Sequence, residues 1–366
     1  MPRAYVVIDG QWGSTGKGLL AGKLALDRYP DVVVCNFGPN AGHTFVGADG
    51  RKVMTQQLPT GFISPGLAYL LIGPGAIVDP DILAAELDAF PEARDHLRIH
   101  EYAAVVEPED RAAEKEALVH VGSTRKGTAA AAARKAARPP RPPSSITGEP
   151  GDPSARVARE HEFLSQFCIS AREYDRVIAE TGLIQVESAQ GVELSLDRGY
   201  FYPHCTGRNV TPERVLDDCA VPHRFLDETC LVLRTFPIRV GNEYDANGVK
   251  IGDSGPVYPD MREMTWDELS ERVGVQLLER TTVTKKVRRI FTFSHVQLRH
   301  ALWVVGRAHV FLNFCNYLDP GASARSRFYN SVLTEFLHDL RVTLDAGNSD
   351  LRWLGFGPSY SDVQEL

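Results

Sequence analysis

Tyr5-Val6-Val7-Ile8-Asp9-Gly10-Gln11-Trp12-Gly13-Ser14-Thr15-Gly16-Lys17-Gly18 sets the reading of the chain. A short apolar, β-branched run stops at Asp9-Gly10, and apolar residues resume at helical spacing over 19–26. A strand, a glycine loop and a helix in that order can cradle an anion. Glycines let main-chain N–H groups turn inward, the helix N-terminus favours negative charge, and Lys17 adds a cation for phosphate oxygens. Gly18 stands where an ordinary Walker A loop carries the Ser or Thr that ligates Mg²⁺, which disfavours an ordinary P-loop kinase or GTPase. The alternative for this stretch is a tight βα turn without a ligand.

Working outward, a second buried strand is expected over 32–34, then a Gly/Pro/Asn loop over 36–44. Short strands are expected over 70–72 and 76–78, with helices starting near Pro80 and running over 108–119. A strand over 183–187 runs into Ser188-Ala189-Gln190-Gly191. Thr211-Pro212 opens a helix reaching Cys219, and Thr265 with Glu268 forms a capping box for a helix reaching Arg272. A helix over 296–305, a strand over 310–314 and an amphipathic helix over 328–340 follow. The alternation predicts an α/β fold with a mostly parallel central sheet flanked by helices and a P-loop-like phosphate site. It reads as a single large domain over 1–366, with excursions. Within it, the alanine tract 129–133, the basic run Arg134-Lys135-Ala136-Ala137-Arg138 and Pro139-Pro140-Arg141-Pro142-Pro143 predict a mobile basic, proline-rich arm over 128–150.

Composition bounds the function. With 366 residues, 43% hydrophobic and 24% charged, the chain has the make-up of a globular protein, not of a collagen-like or disordered one. No apolar run approaches the ~18 residues of a membrane span, and the N-terminus does not read as a signal peptide, so a cytoplasmic location without membrane contact is expected. Six scattered cysteines show no metal or redox spacing and read as reduced thiols. The formal charge of -7 argues against wholesale nucleic-acid binding, so local basic clusters answer to something local.

The run Gly10 to Gly18, followed by Asn40-Ala41-Gly42-His43-Thr44, resembles adenylosuccinate synthetase. Gly122-Ser123-Thr124, Ser188-Ala189-Gln190-Gly191, Arg239-Val240-Gly241, Val283-Thr284 with Arg288-Arg289, and Gly357-Pro358 continue the resemblance in the family's order. It implies a ligase that joins aspartate to C6 of a 6-oxopurine nucleotide in two steps, γ-phosphoryl transfer to O6 and displacement of phosphate by the amine. His43 matches the family's general acid and Gln190 the glutamine at the 6-oxygen. Asn40, Ser123, Thr124 and Thr206 match residues around the nucleotide and its 5′-phosphate. Arg138 matches an arginine reaching that phosphate across a homodimer interface. Thr284, Lys286 and Arg288 match the aspartate clamp, with Lys286 in place of an arginine. The donor nucleotide falls to Gly13-Ser14-Thr15-Gly16-Lys17-Gly18, Gly42-His43-Thr44, Asn313, Asn316 and Gly357-Pro358.

Two departures redirect the substrate. Ser14 replaces the family's loop aspartate, which is its general base and Mg²⁺ ligand, and a neutral hydroxyl is a poor base without a partner. A short side chain that donates and accepts suits a guanine with its 2-amino group. In this the chain resembles a phage-encoded branch, the 2-aminoadenylosuccinate synthases, which act on dGMP; the location is then the host cytoplasm. Asn316 stands where a carboxylate reads guanine in GTP, and an amide pairs with adenine, so ATP or dATP is the expected donor. Mg²⁺ is expected on triphosphate oxygens with Ser14 and the Gly42 carbonyl. An ordinary synthetase acting on IMP, or a catalytically inactive nucleotide-binding relative, stays open.

Overall fold

The computed structural model describes residues 1–118, 120–138, 157–245, 247–280 and 286–366. The first strand, β1 (Arg3–Asp9), sends alternate side chains into two cores: Ala4, Val6 and Ile8 into one, Tyr5 and Val7 into the other. A strand buried on both faces belongs in the middle of a sheet covered on both sides. The sheet has ten strands, continuing with β2 (Val32–Cys35), β3 (Tyr69–Ile72), β4 (Leu97–His100), β5 (Cys168–Ile169), β6 (Leu183–Gly191), β7 (Leu226–Arg234), β8 (His309–Asn313), β9 (Asp350–Gly355) and β10 (Val363–Glu365). Their spatial order is β10-β9-β8-β7-β1-β6-β2-β3-β4-β5, parallel throughout except β10 against β9.

Helices cover both faces. Lys17–Arg28 (α1) and Pro80–Ala89 bury Leu19, Leu20, Leu24, Leu83 and Leu87 on one side, while Ala171–Glu180, Trp266–Val273, His295–Val305 and Ser331–Ala346 pack on the other. Because β1 lies between β6 and β7, later strands run outward from it in both directions. Such a reversal opens a crevice at the carboxyl ends of the strands. The loops leaving β1, β2, β6, β7, β8 and β9 all meet that edge.

Most expected elements are present, with shifted ends. The C-terminal helix starts at Ser331, not near Phe328, because the Asn330 side chain caps it at Leu333 N (2.8 Å), and its Leu333-Leu337-Leu340-Leu344 stripe carries it on to Ala346. β8 stops at Asn313, since Phe314 turns left-handed at φ 63°. The expected loop over 36–44 ends early: His43–Val46 pairs with Lys52–Thr55 as a hairpin. In the basic arm, Thr128–Ala137 is a docked helix and not a mobile loop. Glu114 caps its N-terminus by accepting from Gly127 N (2.7 Å) and Ala129 N (2.6 Å), Arg134 forks onto Asp110, and Lys135 donates to Pro74 O. Residues 139–150 of that arm lie outside the described residues, as does Thr284. Among the described residues no helix is long and apolar enough to cross a membrane, and all six cysteines are free thiols.

Candidate active site

The glycine loop is shaped from beneath by Asp9, the last residue of β1, which is fully buried. Its Oδ1 accepts from Gln11 N (2.8 Å) and Gly13 N (3.2 Å); its Oδ2 accepts from the Thr15 hydroxyl and lies 3.4 Å from Lys17 Nζ. Gly13 (φ 96°) and Gly16 (φ 100°) take left-handed backbone, and so does Ser14 (φ 56°), a costly conformation for a residue with a Cβ. Two side chains from across the sheet hold it. Arg234, at the end of β7, donates to Ser14 O (3.0 Å) and forks onto Glu279 (2.6 and 3.2 Å), and Asn313 Nδ2 donates to Thr15 O (3.1 Å). Gly16 has no alternative, because a Cβ there would lie 2.2 Å from Asn313 Nδ2. No side chain caps α1, so its first N–H groups remain available to an anion.

The second motif packs directly on the first. A Cβ on Gly18 would meet Thr44 O at 2.7 Å and Thr44 N at 2.8 Å, which explains why this loop lacks the usual Ser or Thr. His43 is buried, its ring stacked on Phe37 with centroids 4.1 Å apart, and its Nε2 has no partner among the described residues. Burial, helped by the Lys17 charge, pushes its pKa down to about 3. The ring is therefore neutral and carries one N–H to donate. Lys17 Nζ also donates to the Gln190 carbonyl (3.0 Å), at the left-handed end of β6, and so links the phosphate loop to the next cleft.

That cleft encloses about 870 Å³ of space when its open mouth and the adjoining solvent are counted. It brings together Asn40, Ser123, Thr124, Gln190 and Thr206 with Trp12. Buried polar atoms of Trp12 (Nε1), Thr128 (Oγ1) and His204 (Nδ1), all lining the cleft, lack partners among the described residues. Arg239 lies over the Trp12 ring at 4.7 Å and donates to Pro256 O (2.6 Å). Burial, with Arg289 nearby, lowers its pKa to about 9. Arg138 is the exposed C-cap residue of the 128–137 helix.

The clamp residues divide. Lys286 Nζ sits 2.7 Å from Glu243. The Arg288 guanidinium has its pKa lowered, chiefly by burial, against the pull of Glu279, the same carboxylate that grips Arg234. Asn313 spends its amide on Thr15 O and Phe314 N, whereas Asn316, in the turn Cys315–Tyr317, makes no side-chain hydrogen bond among the described residues. Gly357 abuts Asp362, and Ser359 bridges to Val46 of the His43 hairpin. Among the described residues no group of three His, Cys, Asp or Glu side chains could hold a metal. The exposed Ser14 hydroxyl and Gly42 carbonyl are hard oxygen donors that fit a Mg²⁺ ion arriving with its nucleotide. Sequence reading missed Asp9, Arg234, Glu279 and Glu243. A visible signal marks the first two: each is a charged residue that directly follows an apolar run, Ala4–Ile8 before Asp9 and Cys230–Leu233 before Arg234.

The chain is similar to known proteins over nearly its whole length. The sequence profile of the adenylosuccinate synthetase family matches residues 6–141. The N6-succino-2-amino-2'-deoxyadenylate synthase of Salmonella phage PMBT28 is 39% identical over 99% of this chain and 97% of its own. The adenylosuccinate synthetase of Thermococcus onnurineus is 30% identical over 87% and 86%. Among solved structures, the succinoaminodeoxyadenylate synthetase of cyanophage S-2L, bound to dGMP and to dATP as an energy donor, superposes with a TM-score of 0.81 at 34% identity, covering 100% of this chain and 95% of that one.

Proposed function

Because this chain belongs to the adenylosuccinate synthetase family, we propose that it joins L-aspartate to C6 of dGMP, driven by ATP or dATP, giving N6-succino-2-amino-2'-deoxyadenylate. The observation that carries the reading is Ser14. A family loop that elsewhere offers a carboxylate here offers a hydroxyl, on a backbone braced by Arg234.

A purine 6-oxygen does not depart as hydroxide. O6 therefore attacks the γ-phosphorus, releasing the nucleoside diphosphate, and the aspartate amine then displaces O6 as phosphate. Phosphoryl transfer asks chiefly for positioning and charge stabilisation. The loop N–H groups and Lys17 hold the triphosphate, and neutral His43 donates its N–H to the charge that develops there. Gln190 hydrogen-bonds the 6-oxygen, and Ser14 faces the N1 edge, where the proton leaves through its hydroxyl or a water it holds. Asn40, Ser123, Thr124 and Thr206 bind the nucleotide and its phosphate. Arg138 of a second protomer completes that site in a homodimer. Thr284, Lys286 and Arg288 hold the aspartate carboxylates. Ser14 and the Gly42 carbonyl would hold a Mg²⁺ ion arriving with the triphosphate, which would neutralise the transferring charge. Asn316 reads the adenine of the donor.

The test is an end-point assay by mass spectrometry with aspartate, Mg²⁺ and ATP or dATP, offering dGMP, GMP and IMP separately. A succino adduct with dGMP and little with IMP is expected. Adduct only with IMP would restore the ordinary synthetase, and none with any nucleotide would leave a nucleotide binder.

A further inference from the structure

A short hairpin lies between the two loops assigned above to different substrates. Glu243–Tyr244 pairs antiparallel with Lys250–Gly252. On one side the hairpin joins the Ser123-Thr124 loop, with Gly122 N donating to Asp253 O (2.9 Å), Asp253 N to His120 O (3.3 Å), and Val121 bridging Asp253. On the other side it meets the Lys286 loop so closely that a Cβ on Gly241 would fall 2.3 Å from Val287 O. At the centre, one Glu243 oxygen lies 2.7 Å from Lys286 Nζ and the other 2.8 Å from a guanidinium nitrogen of Arg125, the residue after Thr124.

We propose that Glu243 is a positioning residue that locks the aspartate-binding loop to the loop holding the nucleotide's 5′-phosphate, so that dGMP and aspartate bind cooperatively; this rests on the function proposed above. Two cations from separate loops repel each other, and one carboxylate spanning them fixes their separation while leaving a net positive charge for a dicarboxylate. Burial pushes the Glu243 carboxyl up, but its contacts with Lys286 and Arg125 outweigh that and hold it below the usual range, so the bridge stays ionised. As a stability device it adds little, because Lys286 is 38% exposed and such pairs are weak. Its consequence is geometric. Arg125 itself takes left-handed backbone (φ 50°), so Thr124 and Arg125 are already held in one arrangement when the carboxylate is in place.

The experiment is steady-state kinetics of adduct formation on the full chain, with aspartate varied at several dGMP concentrations. Wild type, Glu243→Gln, Glu243→Asp and Lys250→Ala are compared, the last disturbing the hairpin without touching the bridge. For Glu243→Gln we expect a rise of about tenfold in KM for aspartate, kcat within about twofold, and loss of the dependence of that KM on dGMP. Glu243→Asp should fall between, and Lys250→Ala should match wild type. An unchanged KM for aspartate with its dGMP dependence intact in Glu243→Gln would overturn the proposal, as would the same effect from Lys250→Ala. Wild-type protein that makes no adduct from dGMP would remove the functional reading itself, and that failure shows before any variant is examined.

Discussion

The Arg234 guanidinium, with no exposure to solvent, donates to the main-chain carbonyl of Ser14 at 3.0 Å while Glu279 grips its other edge. Ser14 is held left-handed by a residue 220 positions away. Arg234→Met should leave Glu279 without its fork and release the loop. Losing one partner of a buried ion pair costs about 3–5 kcal/mol, and adduct formation should drop at least tenfold. Glu279→Gln keeps the Ser14 contact and should lose stability with less activity lost. Denaturant unfolding and the adduct assay check both, and an Arg234→Met protein with wild-type activity would show that the brace is unnecessary.

His43 carries a pH prediction. Its folded pKa of about 3 lies below the ordinary value of 6.5, so between those limits the unfolded chain binds the extra proton. Its contribution to stability is complete above about pH 6.5 and is lost as pH falls toward 3, with a slope of at most about 1.4 kcal/mol per pH unit. His43→Asn should flatten the acid limb of the unfolding curve. It should also lower kcat by about 10²–10⁴ with little change in KM for dGMP, as loss of a proton donor in the transition state does. A variant with an unaltered acid limb would show that the ring is not buried neutral.

The two asparagines at the end of β8 and in the turn that follows it should behave differently. Asn316→Asp replaces an amide by an acceptor that pairs with the N1 and 2-amino donors of guanine, so kcat/KM should shift from ATP toward GTP by tenfold or more. Asn313→Ala should weaken every donor equally, since its amide holds Thr15 O and Phe314 N. Competition between ATP and GTP in one tube reads the difference. Equal loss for both donors in Asn316→Asp would remove that residue from base selection.

The sheet was legible because β1 and β2 carry apolar runs, Ala4–Ile8 and Val32–Cys35, bounded by turn residues, and buried parallel strands leave that mark. The loop was legible because its glycines follow a strand and precede a helix. The braces were not. Arg234, Glu279 and Asn313 reach the loop only after the chain has crossed the sheet several times, and a side-chain amide near a motif does not declare whether it faces the ligand or the backbone. Asn313 and Asn316 are three residues apart and differ in just this. The alanine-rich helix was obscured by the prolines after it, and what fixes it is Glu114, on a preceding helix. The hairpin around Glu243 is marked only by the turn pair Asn247-Gly248, which signals a reversal of the chain and says nothing of Glu243's partners.

Ser14→Asp tests the substrate choice itself. Aspartate tolerates left-handed backbone better than most residues, so the φ of 56° should survive the change. The new carboxylate would supply the base that a hydroxyl lacks and a charged ligand for Mg²⁺. It would also crowd the guanine 2-amino group and replace a side chain able both to donate and to accept. Adduct formation with IMP should therefore rise and that with dGMP fall, moving the dGMP-to-IMP ratio by at least tenfold in the mass-spectrometric assay. Because Arg234 holds the carbonyl of this residue and not its side chain, the loop should keep its shape, and the melting temperature should move by no more than a few degrees. A variant that keeps wild-type preference for dGMP would place the selection elsewhere in the cleft, with Trp12 and Arg239 the nearest candidates.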